Sequence, residues 1–409
     1  MSKDFEVVVV GAGPAGAMMT LELAKRKFKV LCIEREFEVG YPNKSTATTP
    51  TETFELFEIP LSLAFEGLAG LRMQGPTETF VGEFEQSIGR LLDFRGVKQY
   101  LIKEAIKLGA VTMLGTRVLD VVKENDQVVG LTYDGFDGDG IIKADVIVDA
   151  SGPSSVLATK LGLWKQRSEE LGVALEYFLD NASPDKAKNG FYLDFYIGSK
   201  SAPGGYAWIY PTNDHQVKAG ICKLNPPFKV DHEKDQKEYF YELWESNHQI
   251  KKAQAFEIHR CAHYITGGVW DCVRDNFLAI GDAVNKVNPV FGEGVRPSFY
   301  SARFAAEAIE AARKKKDYSR KSLKLYDDLW KQKWKGYTSF PEIVFKLLYA
   351  SDDDQLDRLM RAMPKLPIET WYRLYLGKGS KEDNQAFIKV LPSIVDKKML
   401  FTLVKNFKF

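Results

Sequence analysis

A glycine-rich turn near the start of the chain constrains the fold more than any other feature. Residues 5–36 read FEVVVVGAGPAGAMMTLELAKRKFKVLCIERE, and the apolar run VVVV is typical of a strand buried on both faces. The turn GAGPAG follows, residues 17–27 continue as a helix, and KVLCIE has the pattern of a second strand. This order predicts a Rossmann-like α/β domain that binds a dinucleotide.

Each glycine of the turn has a separate task. Gly11 permits the tight bend, Gly13 lets the backbone approach a pyrophosphate, and Gly16 lets the helix lie close to the strand. Pro14 and Ala15 stand at the N-terminus of the helix, where free N–H groups face the phosphates. The turn is therefore the predicted pyrophosphate site.

The end of the second strand predicts how the adenosine is held. Glu34 follows Gly16 by 18 residues, where a carboxylate accepts both hydroxyls of an adenosine ribose. Such a carboxylate repels a 2′-phosphate, an argument that the adjacent Arg35 weakens slightly.

Two later segments favour FAD over NAD. In DNFLAIGDAVNKVNPVFGEG, residues 275–294, an apolar strand ends at Gly281 and Asp282, whose carboxylate can bond a polyol chain. The glycine-containing loop that follows suits the pyrimidine side of an isoalloxazine ring. A strand that ends at Gly152 is a third segment of the predicted FAD-binding domain. The ribityl and flavin parts of FAD need such a second site, whereas NAD does not.

Composition excludes several other classes of protein. The chain is 45% hydrophobic and 27% charged, as soluble globular proteins are. Its net charge of +1 argues against a nucleic-acid partner, and no apolar run approaches the roughly 20 residues that span a bilayer. The acidic N-terminus is unlike a signal peptide, and four cysteines without CxxC spacing imply no disulfide framework. We expect a cytoplasmic protein.

Three regions are predicted along the chain. Alternating strands such as GVALEYFL and GFYLDFYIG indicate a largely antiparallel sheet between the FAD segments. The predicted regions are a discontinuous FAD-binding domain at 1–58, 96–165 and 272–312, a substrate domain at 59–95 and 166–271, and a helical C-terminal domain at 313–409. The fold class is α/β, with the antiparallel sheet covering the flavin.

An aromatic strand leaves two interpretations open. In PGGYAWIYP, residues 203–211, Tyr206, Trp208 and Tyr210 alternate, so their rings leave an extended backbone on one face. Alternating aromatics are typical of a packed sheet core. They also suit one wall of a pocket for a flat or apolar ligand. The strand alone does not decide between the two.

The stretch HRCAH, residues 259–263, places two histidines and a cysteine at alternating positions. A zinc site needs four convergent ligands, usually on loops with short spacers. A strand with ordinary polar residues fits this stretch better, and we expect no metal.

Together these segments resemble the FAD fold of the p-hydroxybenzoate hydroxylase-like flavoproteins. Within that group, DFYIGSKSAPGGYAWIYP and GDAVNKVNPVFGEGV resemble the geranylgeranyl reductases, especially the archaeal digeranylgeranylglycerophospholipid reductases. The resemblance covers about residues 5–310. It implies that the adenosine side of FAD lies against Gly11, Gly13, Ala15, Gly16, Glu34 and Val118, and that the ribityl and flavin side lies against Asp282, Pro289, Gly292, Glu293, Gly294 and Val295.

Two departures from the family pattern affect the predicted site. Where the family has a cysteine-glycine pair near the flavin, this chain has Ser45 and Thr46. The family's arginine ahead of the helix VKQYLIKEAIKLGA is displaced by one, with Phe94 in its place and Arg95 beside it. If the family's cysteine delivers a proton or positions an alkene, its replacement by Ser45 puts the same chemistry in doubt for this chain.

The resemblance implies an FAD-dependent reductase of isolated C=C bonds in a geranylgeranyl or other isoprenoid lipid chain. Tyr206 and Trp208 would then act with Ser45 as catalytic residues, and Tyr210 would complete an apolar wall for the substrate. Two alternatives stay open: a flavin monooxygenase or halogenase, whose W-x-W-x-I-P strand YAWIYP partly echoes, and an FAD-containing isoprenoid-binding protein without catalysis. The electron donor is NADPH, ferredoxin or another reductant.

The last residues suggest a contact with lipid. On a helical wheel, Val395, Met399, Leu400, Leu403, Val404 and Phe407 share one half, and four lysines share the other. This is the pattern of a basic interfacial helix, and it is equally the pattern of a final helix packed on the protein. We expect a peripheral contact with the cytoplasmic membrane face.

Overall fold

The computed structural model describes residues 4–166, 171–223, 234–264, 269–288, 290–334, 344, 348 and 351–395, apart from the side chain of His263. The strands are β1 Phe5–Val10, β2 Val30–Ile33, β3 Thr48–Pro50, β4 Ala64–Gln74, β5 Thr79–Glu83, β6 Gly89–Leu92, β7 Val111–Met113, β8 Thr116–Glu124, β9 Gln127–Gly135, β10 Gly138–Asp149, β11 Leu171–Asp180, β12 Lys186–Ala187, β13 Gly190–Gly198, β14 Ala202–Pro211, β15 Val217–Lys223, β16 Gln254–Tyr264, β17 Val273–Arg274 and β18 Phe277–Ala279. The α-helices are α1 Pro14–Lys25, α2 Glu52–Leu56, α3 Phe94–Lys107, α4 Gln236–Ser246, α5 Val295–Lys315, α6 Arg320–Leu323, α7 Leu325–Trp334, α8 Asp353–Ala362, α9 Ile368–Tyr375 and α10 Lys381–Val390.

The first sheet is built on parallel strands in the order β18-β10-β1-β2-β7, with β17 antiparallel at one edge. The apolar run of β1 lies at its centre, and Val8 and Val9 are fully buried because helices and neighbouring strands cover both faces. Helix α1 packs against α3 and α5. The antiparallel strands β8 and β9 extend β10 beyond this sheet.

The second sheet has the order β16-β11-β15-β14-β13-β4-β6-β3, with β5 and β12 beside β4 and β13. Its pairs are antiparallel except β4 and β13, which are parallel. The predicted α/β class with a largely antiparallel second sheet is therefore confirmed. The predicted domain boundaries stay a prediction, and β3, inside the segment 1–58, pairs with β6 of the second sheet.

The two faces of the second sheet pack against different elements. One face buries Ala207 and Ile209 against Tyr239 and Phe240 of α4. The other face carries the aromatic side chains of β14 and packs against Leu359 of α8 and further apolar residues of the C-terminal helices. These helices begin at strong caps, since both α8 and α10 have a capping box. The C-terminal region thus closes over the sheet.

Within the described residues, no helix is long and apolar enough to cross a membrane. The predicted interfacial helix depends on residues 396–409, which lie outside the described residues. The predicted membrane contact therefore remains a hypothesis.

Candidate active site

One cavity of about 1230 Å³ connects the two sheets. It reaches from the glycine turn after β1, past the ends of β2 and β10, to the aromatic face of β14. A single small-molecule site typically measures about 300–1,000 Å³. The cavity is therefore large enough for a cofactor together with part of a second ligand.

The glycine turn shapes one end of this cavity. A Cβ atom on Gly16 would lie 1.8 Å from the carbonyl oxygen of Gly11, so only glycine lets α1 start this close to β1. A Cβ atom on Gly13 would meet nothing within 4 Å, and Gly13 lines the cavity. The backbone before α1 is therefore open to a ligand, as a pyrophosphate site requires.

Glu34 lies directly after β2 and lines the same end. Its Oε2 accepts a hydrogen bond from Ala12 N at 2.7 Å, and its Oε1 accepts one from Glu36 N at 3.1 Å. These bonds hold the carboxylate beside the glycine turn, and each oxygen keeps a lone pair for a ligand hydroxyl. Arg35 lines the cavity and pairs with Glu36 at 3.1 Å.

Asp282 lies at the opposite side, in the short turn that follows β18. Its Oδ1 is buried and has no hydrogen-bond partner among the described residues. Burial raises the pKa of this carboxyl to about 7. A buried acceptor without a donor is costly, so Asp282 fits a donor such as a hydroxyl of a polyol chain.

The loop after Asp282 is fastened on both sides. Glu293 Oε1 accepts from Arg296 Nε at 2.8 Å, and both side chains are buried. Tyr206 donates its hydroxyl to the carbonyl oxygen of Phe291 at 2.8 Å, which ties the loop to β14. The loop residues Gly292, Glu293, Gly294 and Val295 line the cavity. Pro289, also predicted here, lies outside the described residues.

The aromatic strand belongs both to a buried cluster and to the cavity wall. Tyr206, Trp208 and Tyr210 are each less than 10% exposed and all three line the cavity. Their ring centroids lie 5.5 Å (Tyr206 to Trp208) and 6.3 Å (Trp208 to Tyr210) apart. Phe195 of β13 packs against Tyr206 and Tyr210. The two interpretations of PGGYAWIYP are therefore compatible.

Ser45 and Thr46 also line the cavity. Ser45 Oγ accepts from Ala47 N at 3.0 Å, and the Thr46 hydroxyl donates to Glu176 of β11. Glu176 is buried and also accepts from Trp208 Nε1 at 3.2 Å. A buried carboxylate thus joins the two predicted catalytic regions.

Sequence reasoning missed Glu176 and Lys98, and it named His259 and Phe94 without assigning either to the cavity. All four line the cavity. Burial lowers the pKa of Lys98 to about 8, and its Nζ donates to Gly40 O at 3.2 Å. The acidic residue within the apolar strand GVALEYFL was the available signal, because a charge on a buried face requires a partner.

The structure does not bring every predicted residue to the cavity. Arg95 turns outward and pairs with Glu38, and Phe94 and Lys98 of the same helix take the cavity side. Gly16 and Gly281 lie behind the wall, where they let helices approach closely. The predicted residues that do line the cavity are Gly11, Gly13, Pro14, Ala15, Glu34, Arg35, Ser45, Thr46, Val118, Gly152, Tyr206, Trp208, Tyr210, Asp282, Gly292, Glu293, Gly294 and Val295.

The stretch HRCAH forms part of β16. His259 donates from Nδ1 to Glu176 Oε1 at 3.0 Å, and Cys261 lines the cavity. Among the described residues, no three His, Cys, Asp or Glu side chains converge as metal ligands.

Together, the open glycine turn, the carboxylate of Glu34 and the unpartnered oxygen of Asp282 fit FAD. The first two suit the pyrophosphate and adenosine, and Asp282 suits the ribityl chain.

A pH-dependent stability follows from Asp282. Between about pH 4 and 7 the native carboxyl keeps a proton that the unfolded chain releases, so its contribution to the free energy of unfolding falls as pH rises. We expect Asp282→Asn to stabilise the flavin-free protein relative to wild type above pH 7, by roughly 4 kcal/mol at most, and to have little effect at pH 4. Thermal melts of both proteins across this range measure the difference. Melting temperatures of the two proteins that change in parallel with pH would contradict a raised pKa of Asp282.

Comparisons with known proteins agree with this fit. A family model described as FAD binding domain matches residues 4–312. The chain is 30% identical over 388 residues to a digeranylgeranylglycerophospholipid reductase from Haloferax volcanii, which covers 90% of this chain and 92% of the relative. A geranylgeranyl bacteriochlorophyll reductase-like protein from Thermoplasma acidophilum superposes with a TM-score of 0.84 at 24% identity over 98% of this chain and 99% of that one. A flavin-dependent brominase shares the fold at a TM-score of 0.71 and 17% identity, over 95% and 98% of the two chains. The predicted cofactor, FAD, is confirmed.

Proposed function

Because this chain belongs to the digeranylgeranylglycerophospholipid reductase family of FAD-binding proteins, we propose that it reduces isolated C=C bonds in the isoprenoid chain of a lipid. The observation that carries the proposal is the shape of the cavity. Its aromatic wall adjoins the loop at 290–294, on the side that suits the flavin ring. An apolar chain lying along this wall would be next to the loop that would hold the flavin ring.

The residues of the chain would hold the substrate in position and keep water away from it. When bound, reduced FAD supplies a hydride. An isolated alkene is a poor hydride acceptor, so it must be held in contact with the flavin and away from water. Tyr206, Trp208 and Tyr210 offer an apolar surface for this, and their π-faces would stabilise positive charge that develops on the alkene. Apolar residues of the C-terminal helices pack on the same side of the sheet and would help to keep water away from the substrate.

Reoxidation of the reduced protein tests this proposal against its alternatives. We expect a geranylgeranyl lipid to reoxidise the flavin in stopped flow with formation of the saturated chain. A halogenase or monooxygenase would instead be reoxidised rapidly by O₂, with little effect of the lipid. A lipid-binding protein without catalysis would bind the lipid and leave the flavin reduced. Reducing the protein with NADPH, with ferredoxin and with dithionite would identify the electron donor in the same assay.

Ser45 provides a further prediction. Because Ser45 lines the cavity, and the resemblance places it where the family has a cysteine, we expect Ser45→Cys to keep or raise the rate of lipid reduction. Ser199→Cys, on the surface beside Asp353, is the matched control. Single-turnover rates and flavin content should be measured for both. A tenfold or larger loss of rate in Ser45→Cys with full flavin content would contradict the correspondence between Ser45 and that cysteine.

A further inference from the structure

A row of side chains crosses the cavity face of the second sheet. In the strand register, His259 of β16 lies opposite Glu176 of β11, Glu176 lies opposite Gly220 of β15, and Gly220 lies opposite Trp208 of β14. A Cβ atom on Gly220 would lie 2.6 Å from Cζ2 of Trp208, so the indole crosses β15 where there is no side chain. Its Nε1 thereby reaches Glu176 Oε2 at 3.2 Å.

The two oxygens of Glu176 face different partners. Oε1 accepts from His259 Nδ1 at 3.0 Å, whereas Oε2 accepts from Trp208 and from the hydroxyl of Thr46. Glu176 and His259 are each about 5% exposed or less, and Thr46 borders the cavity. The carboxylate therefore connects an imidazole on one side with a cavity hydroxyl on the other.

The far side of His259 leads toward solvent. Its Nε2 lies 2.7 Å from Glu257 Oε1, outside hydrogen-bond geometry, and the Glu257 side chain is 44% exposed. The residues Glu257, His259, Glu176 and Thr46 thus form a continuous series from the surface to the cavity, which we name the proton path.

Electrostatics favour the charged forms of the central pair. Although burial opposes both charges, the hydrogen bond with Glu176 and the nearby charges of Glu176 and Glu257 raise the pKa of His259, and hydrogen bonds with His259 and Thr46, together with the charge of Lys218, lower the pKa of Glu176. Cys261 and Tyr210 also interact with Glu176, and burial raises the pKa of each. They stay neutral near pH 7, so a proton held there resides on His259.

We propose that Glu176 and His259 supply, through Thr46, the proton that completes reduction of the double bond. The inference rests on the proposed function, because hydride addition to an alkene leaves one carbon in need of a proton. The hydroxyl of Thr46 is what connects the cavity to the buried carboxylate.

The transfer balances as follows in protons and electrons. The N–H bond at His259 Nδ1 breaks as Glu176 takes the proton, and the carboxyl group turns to present it to Thr46. The Thr46 hydroxyl, which donates to Glu176 at rest, turns so that its oxygen accepts this proton while its own hydroxyl proton passes to one alkene carbon. Reduced FAD, when bound, would supply the hydride to the other carbon, so that the π bond would break, two C–H bonds would form, the alkene would be reduced and FAD oxidised. The imidazole is left neutral with its proton on Nε2, so the ring turns to bring its bare nitrogen to the Glu257 side, where that nitrogen takes up a proton from water.

Three variants and one control test the proton path in the FAD-loaded protein. We expect Glu176→Gln and Thr46→Val to slow single-turnover reoxidation by a geranylgeranyl lipid by about 100-fold or more. We expect His259→Asn to slow it and to remove the fall in rate that wild type shows as pH rises through the pKa of His259. His215→Asn, which removes an exposed histidine, should leave rate and pH profile unchanged.

A second readout does not depend on activity. NMR titration of the oxidised protein should show the pKa of His259 raised in wild type and lower in Glu176→Gln, because the neutral amide no longer favours the imidazolium. If Glu176→Gln does not fold, Thr46→Val still tests the proposal, because it changes the cavity end of the proton path.

The outcomes separate the proton path from the proposed function. If wild type is reoxidised by the lipid and the folded variants keep its rate and pH profile, the proton path is overturned and the reductase function stands. If the lipid does not reoxidise even wild type, the proposed function fails and the proton path with it. Loss of rate in the variants, with the shifted His259 titration, supports the path.

Discussion

Trp208→Ala is expected to abolish reduction of a long prenyl chain while the protein keeps its FAD. The indole forms the middle of the aromatic wall and holds Glu176, so its loss removes both a surface for the substrate and a donor to the buried carboxylate. A displacement of about 1 Å in a reacting pair can cost about 100-fold in rate, and we expect at least that loss. Single-turnover rates and the visible spectrum of bound flavin measure the two effects.

The loss of unfolding free energy on truncation to alanine distinguishes a residue that lines the cavity from one that is packed in the core. Trp→Ala in a filled core costs about 3–5 kcal/mol, and we expect less for Trp208 because one side of the ring borders the cavity. Ile209→Ala is the matched control, since Ile209 is the next residue of β14, points to the opposite face and is fully buried in the core under α4. It should lose about 2–5 kcal/mol and keep its turnover per folded molecule. A Trp208→Ala protein that loses stability but not turnover would show that the ring serves only the core.

Glu34→Ala is expected to bind FAD roughly 10- to 100-fold more weakly. The carboxylate is held beside the glycine turn by Ala12 N and Glu36 N, and its remaining lone pairs face the cavity. Hydrogen bonds to a charged group are worth about 1.5–3 kcal/mol, and the ribose hydroxyls of the cofactor would lose theirs. Fluorescence titration of the flavin-free protein with FAD measures the dissociation constant.

Glu38→Ala provides the control for this change. Glu38 lies four residues away, is partly exposed and pairs with Arg95 and Gln99. Its removal takes away a carboxylate of the same region without altering the cavity lining. Unchanged FAD affinity in Glu34→Ala, or an equal loss in Glu38→Ala, would contradict the adenosine assignment.

The cofactor site follows from short stretches of sequence. Gly11, Gly13 and Gly16 act within one turn, Glu34 comes at the end of the adjoining strand, and Asp282 directly follows another buried strand. In such units, strand ends and helix starts are set by local spacing, so candidate residues for the cofactor are readable from the chain. The helix that the pattern placed at residues 17–27 spans Pro14–Lys25, a difference only at its ends.

The substrate side depends on strand register, which local sequence leaves open. HRCAH gave no indication that His259 faces Glu176, because these residues are 83 positions apart and meet only when β16 pairs with β11 in one register. Local sequence also left open which side of α3 faces the cavity. The helix turns Phe94 and Lys98 to the cavity and Arg95 away from it, toward Glu38.

By itself, therefore, the sequence determined the α/β class, FAD as the cofactor and the alternation that puts Tyr206, Trp208 and Tyr210 on one face. The tertiary structure decided what that face meets. Pairing of distant strands brought a buried carboxylate and an imidazole to the indole, and the C-terminal helices enclosed the space above them. The physical reason is that a strand's own pattern sets which side chains share a face, whereas the partner opposite each one is set by long-range pairing.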